Sequence, residues 1–551
     1  MGRLVSAPSA LQPAPFCYTF LMFRRFEWLI VSLGSLAWFA IQTPWELFTD
    51  PDAFYHAHVA RLLSDGGPLR AFPWLDLTTF GQHFVDHHFL FHLVSVPAVW
   101  IADRVAPGPF AAFWAGQFMA PLFAVATTLT LWSVLKRLDR ERAWIWTALT
   151  LLVPVFTLRM TLAKASPVAV GLFIAVIGVL TLSDRKKKTG PLLLSLVGFL
   201  FALSHGGWII ALLGAGSIVC GDLLFRKVGE DRSWRETIVL MPWKECAGLF
   251  SGIVLGLLLH PNRENLLSFL WVQVFKAGIA PPAHIIQGGE WRSATAAFVI
   301  WELAPLLVAA LVAVATLVLS KRVRLNAERF RHVVTLAFPV ALTLALSLNG
   351  RRFLEYFVPA FTLWLAGIWS LVELGAVRDA ADRLRSSWPR LLQRAAAPIA
   401  MGLAIALAGH HAWSAWVSLR APQAKPFNAY RSAMNAISEH AVPGDRVFHS
   451  DWDEFPLLFA ADDRLRYVTG LDPVFLADAN PELSTAIVDL TQGISTSSIR
   501  EIIAQQTGSS FVFVTTKRHP LFDQALQKSP YFIEIFRDSD TVAYQVKNEA
   551  Q

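Results

Sequence analysis

The sequence predicts a polytopic α-helical membrane protein of about eleven spans with a C-terminal α/β domain. Three observations predict it. Only 16% of the 551 residues are charged while 54% are hydrophobic, whereas a soluble chain carries about 25% charged residues. Eleven apolar segments approach the roughly 20 residues that a spanning helix needs. Beyond residue 416 the long apolar runs stop and short strand-like segments begin.

The apolar segments lie near 26–44, 111–135, 143–158, 166–182, 190–204, 207–224, 245–260, 295–319, 331–348, 353–374 and 395–416. A further stretch, 89–103, is apolar but short, and charge decides its status. Lys and Arg near helix ends mark the cytoplasmic side. With Arg24 and Arg25 inside and 89–103 not spanning, the basic runs KRLDRER (136–142), DRKKK (184–188), Arg226 to Lys244, KRVRLNAERFR (321–331) and Arg378 to Arg394 all fall on one face. Residues 1–25 then form a cytoplasmic N-terminal segment and 26–416 the membrane domain. The opposite face carries two long loops, 45–110 and 261–294, together with the domain 417–551. In that domain DRVFHS, LRYVTGL, SSFVFVTT and TVAYQV read as strands, and SIREIIAQQ and LFDQALQKS as helices, an alternation that suggests a small α/β unit. No signal-peptide cleavage site stands out, so the first helix is expected to be retained. Met22 opens a run that reads like a natural start.

Net charge is +7, but the basic residues sit in topology-setting runs, so nucleic acid is not an expected partner. The three cysteines, Cys17, Cys220 and Cys246, have neither metal spacing nor an evident disulfide framework.

The first long loop holds the densest chemistry. TDPDAFYHAHVARLL and the later FGQHFVDHHFLFHL bring Asp50, Asp52, His56, His58, Asp86, His87, His88 and His92 into one loop. Carboxylates and imidazoles suit Mg, Mn or Zn, and a carboxylate beside imidazoles equally serves as a general base; the plain alternative is a solvated loop with Asp50 or Asp52 as a helix cap. Arg351 and Arg352 precede FLEYFVPAF on the non-cytoplasmic face, against the positive-inside trend. Guanidinium groups there grip phosphate bidentately, or snorkel to the interface. Glu290 lies beside a glycine pair in IIQGGEWRS. Asp451, Trp452 and Asp453 open the last domain as a turn or a membrane-facing site.

These residues resemble the GT-C superfamily of membrane glycosyltransferases, most nearly the catalytic subunits of oligosaccharyltransferases. The family's first external loop has the form D-x-aromatic-aromatic-N/H-x-R. Asp52-Ala53-Phe54-Tyr55-His56-Ala57-His58 follows it up to its last position, where His58 replaces Arg. The resemblance implies that Asp52 is the essential acid, with Asp50 its near alternative. It implies that Arg352, seven residues ahead of Pro359, contacts the lipid-linked phosphate, with Arg351 beside it. Glu290 corresponds to the family's external-loop glutamate. Trp452, Asp453 and Phe455 echo the acceptor-binding WWDYG motif, with Asp451 in place of the first Trp. The family's second acidic motif is missing: LRMTLAKASPVAV offers Arg159, Lys164 and Ser166 where acids are expected. Either the histidines (His56, His58, His87 and His88, with Asp86) supply ligands to a divalent metal such as Mg or Mn, or Lys164 replaces the cation and contacts phosphate together with Arg159.

The function this implies is transfer of a sugar from a polyprenyl-(pyro)phosphate-linked donor to an acceptor on the extracytoplasmic side. The implied location is a bacterial inner (plasma) membrane, with the C-terminal domain periplasmic. The alternatives are a transporter or flippase of a lipid-linked or anionic solute, and a non-catalytic GT-C-like binding subunit. Lys and Glu are scarce inside the spans, which favours the enzyme over the transporter. The topology predicts that a reporter fused after Lys188 reads as cytoplasmic; an external reading contradicts it.

Overall fold

The computed structural model describes residues 26–182, 187–279, 281–285, 288–319, 326–386 and 389–547. Met22, Arg24 and Arg25, most of the 184–188 run and residues 321–325 lie outside the described residues.

Each of the eleven apolar segments is a helix or a bent pair of helices. By length and composition, however, five helices among the described residues qualify as spans: Ala111–Leu138, Ile209–Gly229, Ala327–Asn349, Arg351–Ser370 and Ala395–Leu419. The count rises to seven if each of two bent pairs is one span. Ala143–Leu151 with Pro154–Thr161 bends by 78°, and Ala296–Glu302 with Ala304–Leu319 by 80°. Helices such as Glu27–Gln42, Thr189–Ser204 and Trp243–Leu258 have 16 residues. At 1.5 Å per residue that is about 24 Å, short of a hydrocarbon core about 30 Å thick. The segment 89–103 is also helical, as Phe89–Val105.

Both bends are written in proline. Pro154 opens its helix, where the missing N–H costs nothing and the residue before it is pushed to extended backbone; Val153 has φ −75° and ψ 113°. Pro305 sits just past the second break. The two bent pairs are stapled at their breaks: the Val155 N–H donates to the buried Glu302 Oε2 at 2.6 Å. The first bend sets the direction of the short helix that carries Arg159.

A glycine stripe that the sequence reading missed joins Thr189–Ser204 to Trp243–Leu258. A Cβ on Gly248, Gly252 or Gly256 would lie 2.3 Å from the Pro191 carbonyl oxygen, 1.9 Å from that of Ser195 and 2.9 Å from that of Phe199. Repeated every four residues, the glycines lie on one helix face and let the backbones touch, the small-residue packing used between helices in lipid.

The C-terminal part forms a five-stranded sheet, as the alternation of strands and helices suggests. Before it, β1 (Leu47–Phe48) pairs antiparallel with β2 (Lys425–Pro426). The sheet contains β3 (Arg446–His449), β4 (Arg466–Tyr467), β5 (Phe511–Thr515), β6 (Phe532–Arg537) and β7 (Thr541–Val546), in the order β4-β3-β5-β7-β6. β3 is parallel to β4 and β5, and β7 is antiparallel to β5 and β6. The first long loop shares this unit's core. Tyr55, Phe72, Phe80 and Phe84 pack in one buried cluster with Phe455, Phe459, Tyr467 and Phe511. Asp76 ties the loop to β3 and β4, accepting from Arg446 and Arg466 at 2.9 Å each.

The glycine stripe gives a stability prediction. Gly252→Val forces the two backbones apart and destabilises the protein by about 1–3 kcal/mol, read as a lowered Tm of detergent-solubilised protein. An unchanged Tm contradicts the packing.

Candidate functional site

One cavity of about 700 Å³ gathers most of the sequence candidates. Asp50, Asp52, His56, His87, His88, Arg159, Lys164, Glu290, Arg351, Arg352, Trp452 and Asp453 all line it. They arrive from six places: the start of the Asp52–Gly66 helix, the turn before Phe89–Val105, the bent helix and the turn after it, the loop ahead of Ala296–Glu302, the turn before Leu354–Ser370, and the Trp452–Glu454 turn. Arg351 and Arg352 lie in the short turn that opens into Leu354–Ser370.

Charge alternates through the cavity. Lys164 Nζ sits 2.9 Å from Asp50 Oδ1 and 2.8 Å from Asp52 Oδ2. Arg159 donates from Nη1 to Glu290 Oε2 at 2.8 Å and from Nε to Glu355 Oε2 at 2.6 Å. Arg352 Nη1 lies 3.7 Å from Glu290 Oε1, and its guanidinium stacks 4.1 Å from the centre of the Trp291 ring. Arg351 turns elsewhere: its N–H donates to the Arg292 carbonyl, its Nε to that of Ser293, and its guanidinium packs on Phe298. It clamps the Glu290 loop, whereas Arg352 faces the carboxylate.

The arrangement sets the protonation states. Burial is the largest influence on Asp52 and raises its pKa to about 6; Lys164 opposes the rise and Asp50 adds to it. The Asp52 side chain still keeps 31% of its surface, so it is enclosed yet reachable. Burial works against the Lys164 ammonium, but Asp50, Asp52 and Glu290 outweigh it and hold its pKa above the ordinary lysine range. Desolvation works against the Glu290 carboxylate, whose side chain keeps 34% of its surface, but Lys164, Arg159 and Arg352 outweigh it and hold its pKa well below the usual carboxylate range.

The five residues considered as metal ligands do not converge. His58 lies two positions after His56, on the other side of the helix, where Nε2 meets Asp463 at 3.1 Å. Asp86 and His56 both bond His92, at 2.8 and 2.7 Å. His88 Nδ1 contacts the Ser204 carbonyl and His87 Nδ1 that of Val85. Among the described residues no group of three His, Cys, Asp or Glu side chains is placed to hold a metal. A divalent ion bridging Asp50 and Asp52 does not fit either, because the Lys164 ammonium occupies the space between the two carboxylates.

The Trp452 turn is built by Asp451 and Glu454, which cap it reciprocally. Asp453 is held by Arg518 at 2.8 and 3.0 Å. Phe455, included in the motif echo, is fully buried in the core and does not line the cavity. The sequence reading did not single out three residues of the site, Glu355, His205 and Trp291. Glu355, 3% exposed, anchors Arg159; its one signal is an acid inside an apolar helix. His205 and Trp291 line the cavity from distant segments, and His92, one of the loop histidines, lies behind the wall between His56 and Asp86.

No protein-family model and no curated protein sequence matches the chain. Solved structures do match. The oligosaccharyltransferase of Archaeoglobus fulgidus in its apo form aligns with a TM-score of 0.59 at 12% identity, covering 96% of this chain and 75% of that one. ArnT from Cupriavidus metallidurans bound to undecaprenyl phosphate aligns at 0.55 and 12% identity, covering 94% and 98%. The arabinofuranosyltransferase AftD from Mycobacteria aligns at 0.58 and 14% identity, covering 96% of this chain but 40% of that one. At these identities the likeness shows the fold: the chain has the GT-C fold of membrane glycosyltransferases.

Proposed function

We propose that the protein is a membrane glycosyltransferase that moves a sugar from a polyprenyl-phosphate-linked donor to an acceptor on the extracytoplasmic face of a bacterial inner membrane. One observation carries the reading: a single cavity places an acid pair held by a lysine beside a glutamate held by two arginines. Structural neighbours supply the ligand class. ArnT is bound to undecaprenyl phosphate, and the archaeal oligosaccharyltransferase is seen with an inhibitory peptide and a dolichol-phosphate.

Arg352 is the donor-phosphate ligand. Its contact with Glu290 is long, so a phosphate oxygen can replace it at little cost, with Arg159 and Lys164 adding positive charge. Asp52 accepts a hydrogen bond from the acceptor's nucleophile and aims it at the anomeric carbon. The new bond forms there as the bond from that carbon to the phosphate oxygen breaks, and polyprenyl phosphate leaves with the electron pair. A direct displacement inverts the configuration. Glu290 keeps Arg159 and Arg352 in place. Trp452 and Asp453, across the cavity, face the acceptor.

Lys164 is the built-in cation of this site. A neighbouring oligosaccharyltransferase structure is a complex with Zn and sulfate, but in this chain an ammonium stands between the two acids. Activity is therefore expected to survive EDTA while Lys164→Ala abolishes it. Loss of activity in EDTA, restored by Mg or Mn, contradicts this.

The decisive experiment is sugar transfer by purified protein in nanodiscs, using undecaprenyl-phosphate sugars. Asp52→Asn lowers kcat by about 10²–10⁴-fold; full activity in that variant removes Asp52 from the reaction. Because Asp52 must be ionised to accept the hydrogen bond, kcat/KM rises with pH through about 6 and then levels. A rate that falls over that range contradicts the assignment. Arg352→Ala weakens binding of undecaprenyl phosphate by about 10–100-fold, the loss of one charged hydrogen bond, and unchanged binding refutes the phosphate role.

A further inference from the structure

The wall beside Asp52 contains a chain of three buried groups that the mechanism above leaves unused. Asp86 Oδ1 and Oδ2 lie 2.8 and 3.0 Å from His92 Nδ1. His92 Nε2 lies 2.7 Å from His56 Nδ1. Asp86 is 2% exposed, His92 0% and His56 6%. Asp86 is itself anchored: its N–H donates to Asn262 Oδ1 at 3.2 Å, its carbonyl faces His260 Nε2 at 3.0 Å, and its Oδ1 accepts from the His88 N–H at 3.3 Å.

With His92 neutral, these contacts assign the tautomers. An ionised carboxylate can only accept, so His92 donates from Nδ1 and its Nε2 carries a lone pair. His56 then donates from Nδ1, which leaves the lone pair on His56 Nε2. That nitrogen has no hydrogen-bond partner among the described residues. His56 lines the cavity, and it lies one turn after Asp52, four positions along the same helix face. Burial, followed by His92 and Lys164, holds its pKa well below the ordinary value, so the ring is neutral and its lone pair free.

We propose that His56 is a second catalytic residue of this cavity, its Nε2 taking the proton of the acceptor's nucleophile, with His92 and Asp86 as positioning residues. The proposal rests on the glycosyl-transfer reading. Asp52 is a poor final home for that proton, because neutralising it would break its pair with Lys164. The imidazole has no such partner to lose. The acceptor's O–H or N–H bond breaks and its proton joins Nε2. The acceptor atom bonds the anomeric carbon, and polyprenyl phosphate departs with the electrons of the broken bond. The positive charge left on His56 is shared with His92 and balanced by the Asp86 carboxylate, and the proton then leaves to water in the cavity.

The test uses the full-length protein in nanodiscs, with a panel of undecaprenyl-phosphate hexoses and pentoses as donors and release of sugar as the readout. His56→Gln is expected to lower kcat by about 10²-fold or more, with binding of sugar-free undecaprenyl phosphate unchanged. Asp86→Asn lowers kcat in the same direction, and adds nothing in the His56→Gln background. Full kcat in His56→Gln, or an additive effect of Asp86→Asn, overturns the proposal. A second arm needs no turnover: ¹⁵N NMR of histidine-labelled protein shows His56 as the Nδ1–H tautomer, and an Nε2–H tautomer overturns the proposal even if His56→Gln fails to fold. Wild-type protein that turns over none of the panel counts against the glycosyl-transfer reading itself, and the proposal falls with it.

Discussion

The cavity depends on one interaction: an ammonium set between two carboxylates. Lys164 between Asp50 and Asp52 begins a lattice that continues through Glu290 to Arg159 and Arg352, and from Arg159 to Glu355. Desolvation works against the charges of Asp52, Lys164 and Glu290, and the opposite charges within reach oppose it. Removing one member leaves a partly buried neighbour without its partner. The lattice therefore dictates where four chain segments meet. The bend at Pro154 aims Arg159, the turn before Leu354–Ser370 aims Arg352, and the Glu290 loop closes between them.

The same constraint explains how the first long loop and the C-terminal sheet are joined. An acid at the start of the Asp52–Gly66 helix is useful only if that helix is held still. Its far side is fixed by an aromatic core shared with Phe455, Phe459 and Tyr467, and the loop beyond it by Asp76 against Arg446 and Arg466. Trp452 and Asp453 reach the cavity as part of that assembly. Gly288, at the edge of the Glu290 loop, comes close to Trp452: a Cβ there would lie 3.5 Å from the indole. The sheet thus positions one wall of the cavity.

Much of this was legible in the sequence, for physical reasons. Hydrophobic runs mark helices wherever the surroundings are apolar, and all eleven segments are helical. Acids and arginines among apolar residues stand out, so Asp50, Asp52, Arg159, Lys164, Glu290 and Arg352 were named before their meeting could be seen. The pairings themselves were hidden, because Lys164 is more than a hundred residues from Asp52 and Glu355 nearly two hundred from Arg159. His58 was misjudged although its position spoke against it: two residues along a helix turn the side chain by about 200°, away from His56 and toward Asp463. The strand Phe532–Arg537 escaped notice because it is an exposed edge with a bulge between Glu534 and Phe536, which breaks the alternation. The glycine stripe at 248, 252 and 256 was readable as a pattern, but its partner helix was not.

The central claim is that this cavity holds a polyprenyl phosphate against Arg352 and Lys164, opposite Asp52. The most direct measurement is a structure of the protein with undecaprenyl phosphate bound. The account predicts the phosphate within hydrogen-bonding distance of the Arg352 guanidinium, with the Glu290 contact displaced. A phosphate bound away from this cavity, with the Glu290 and Lys164 pairs undisturbed, would contradict it.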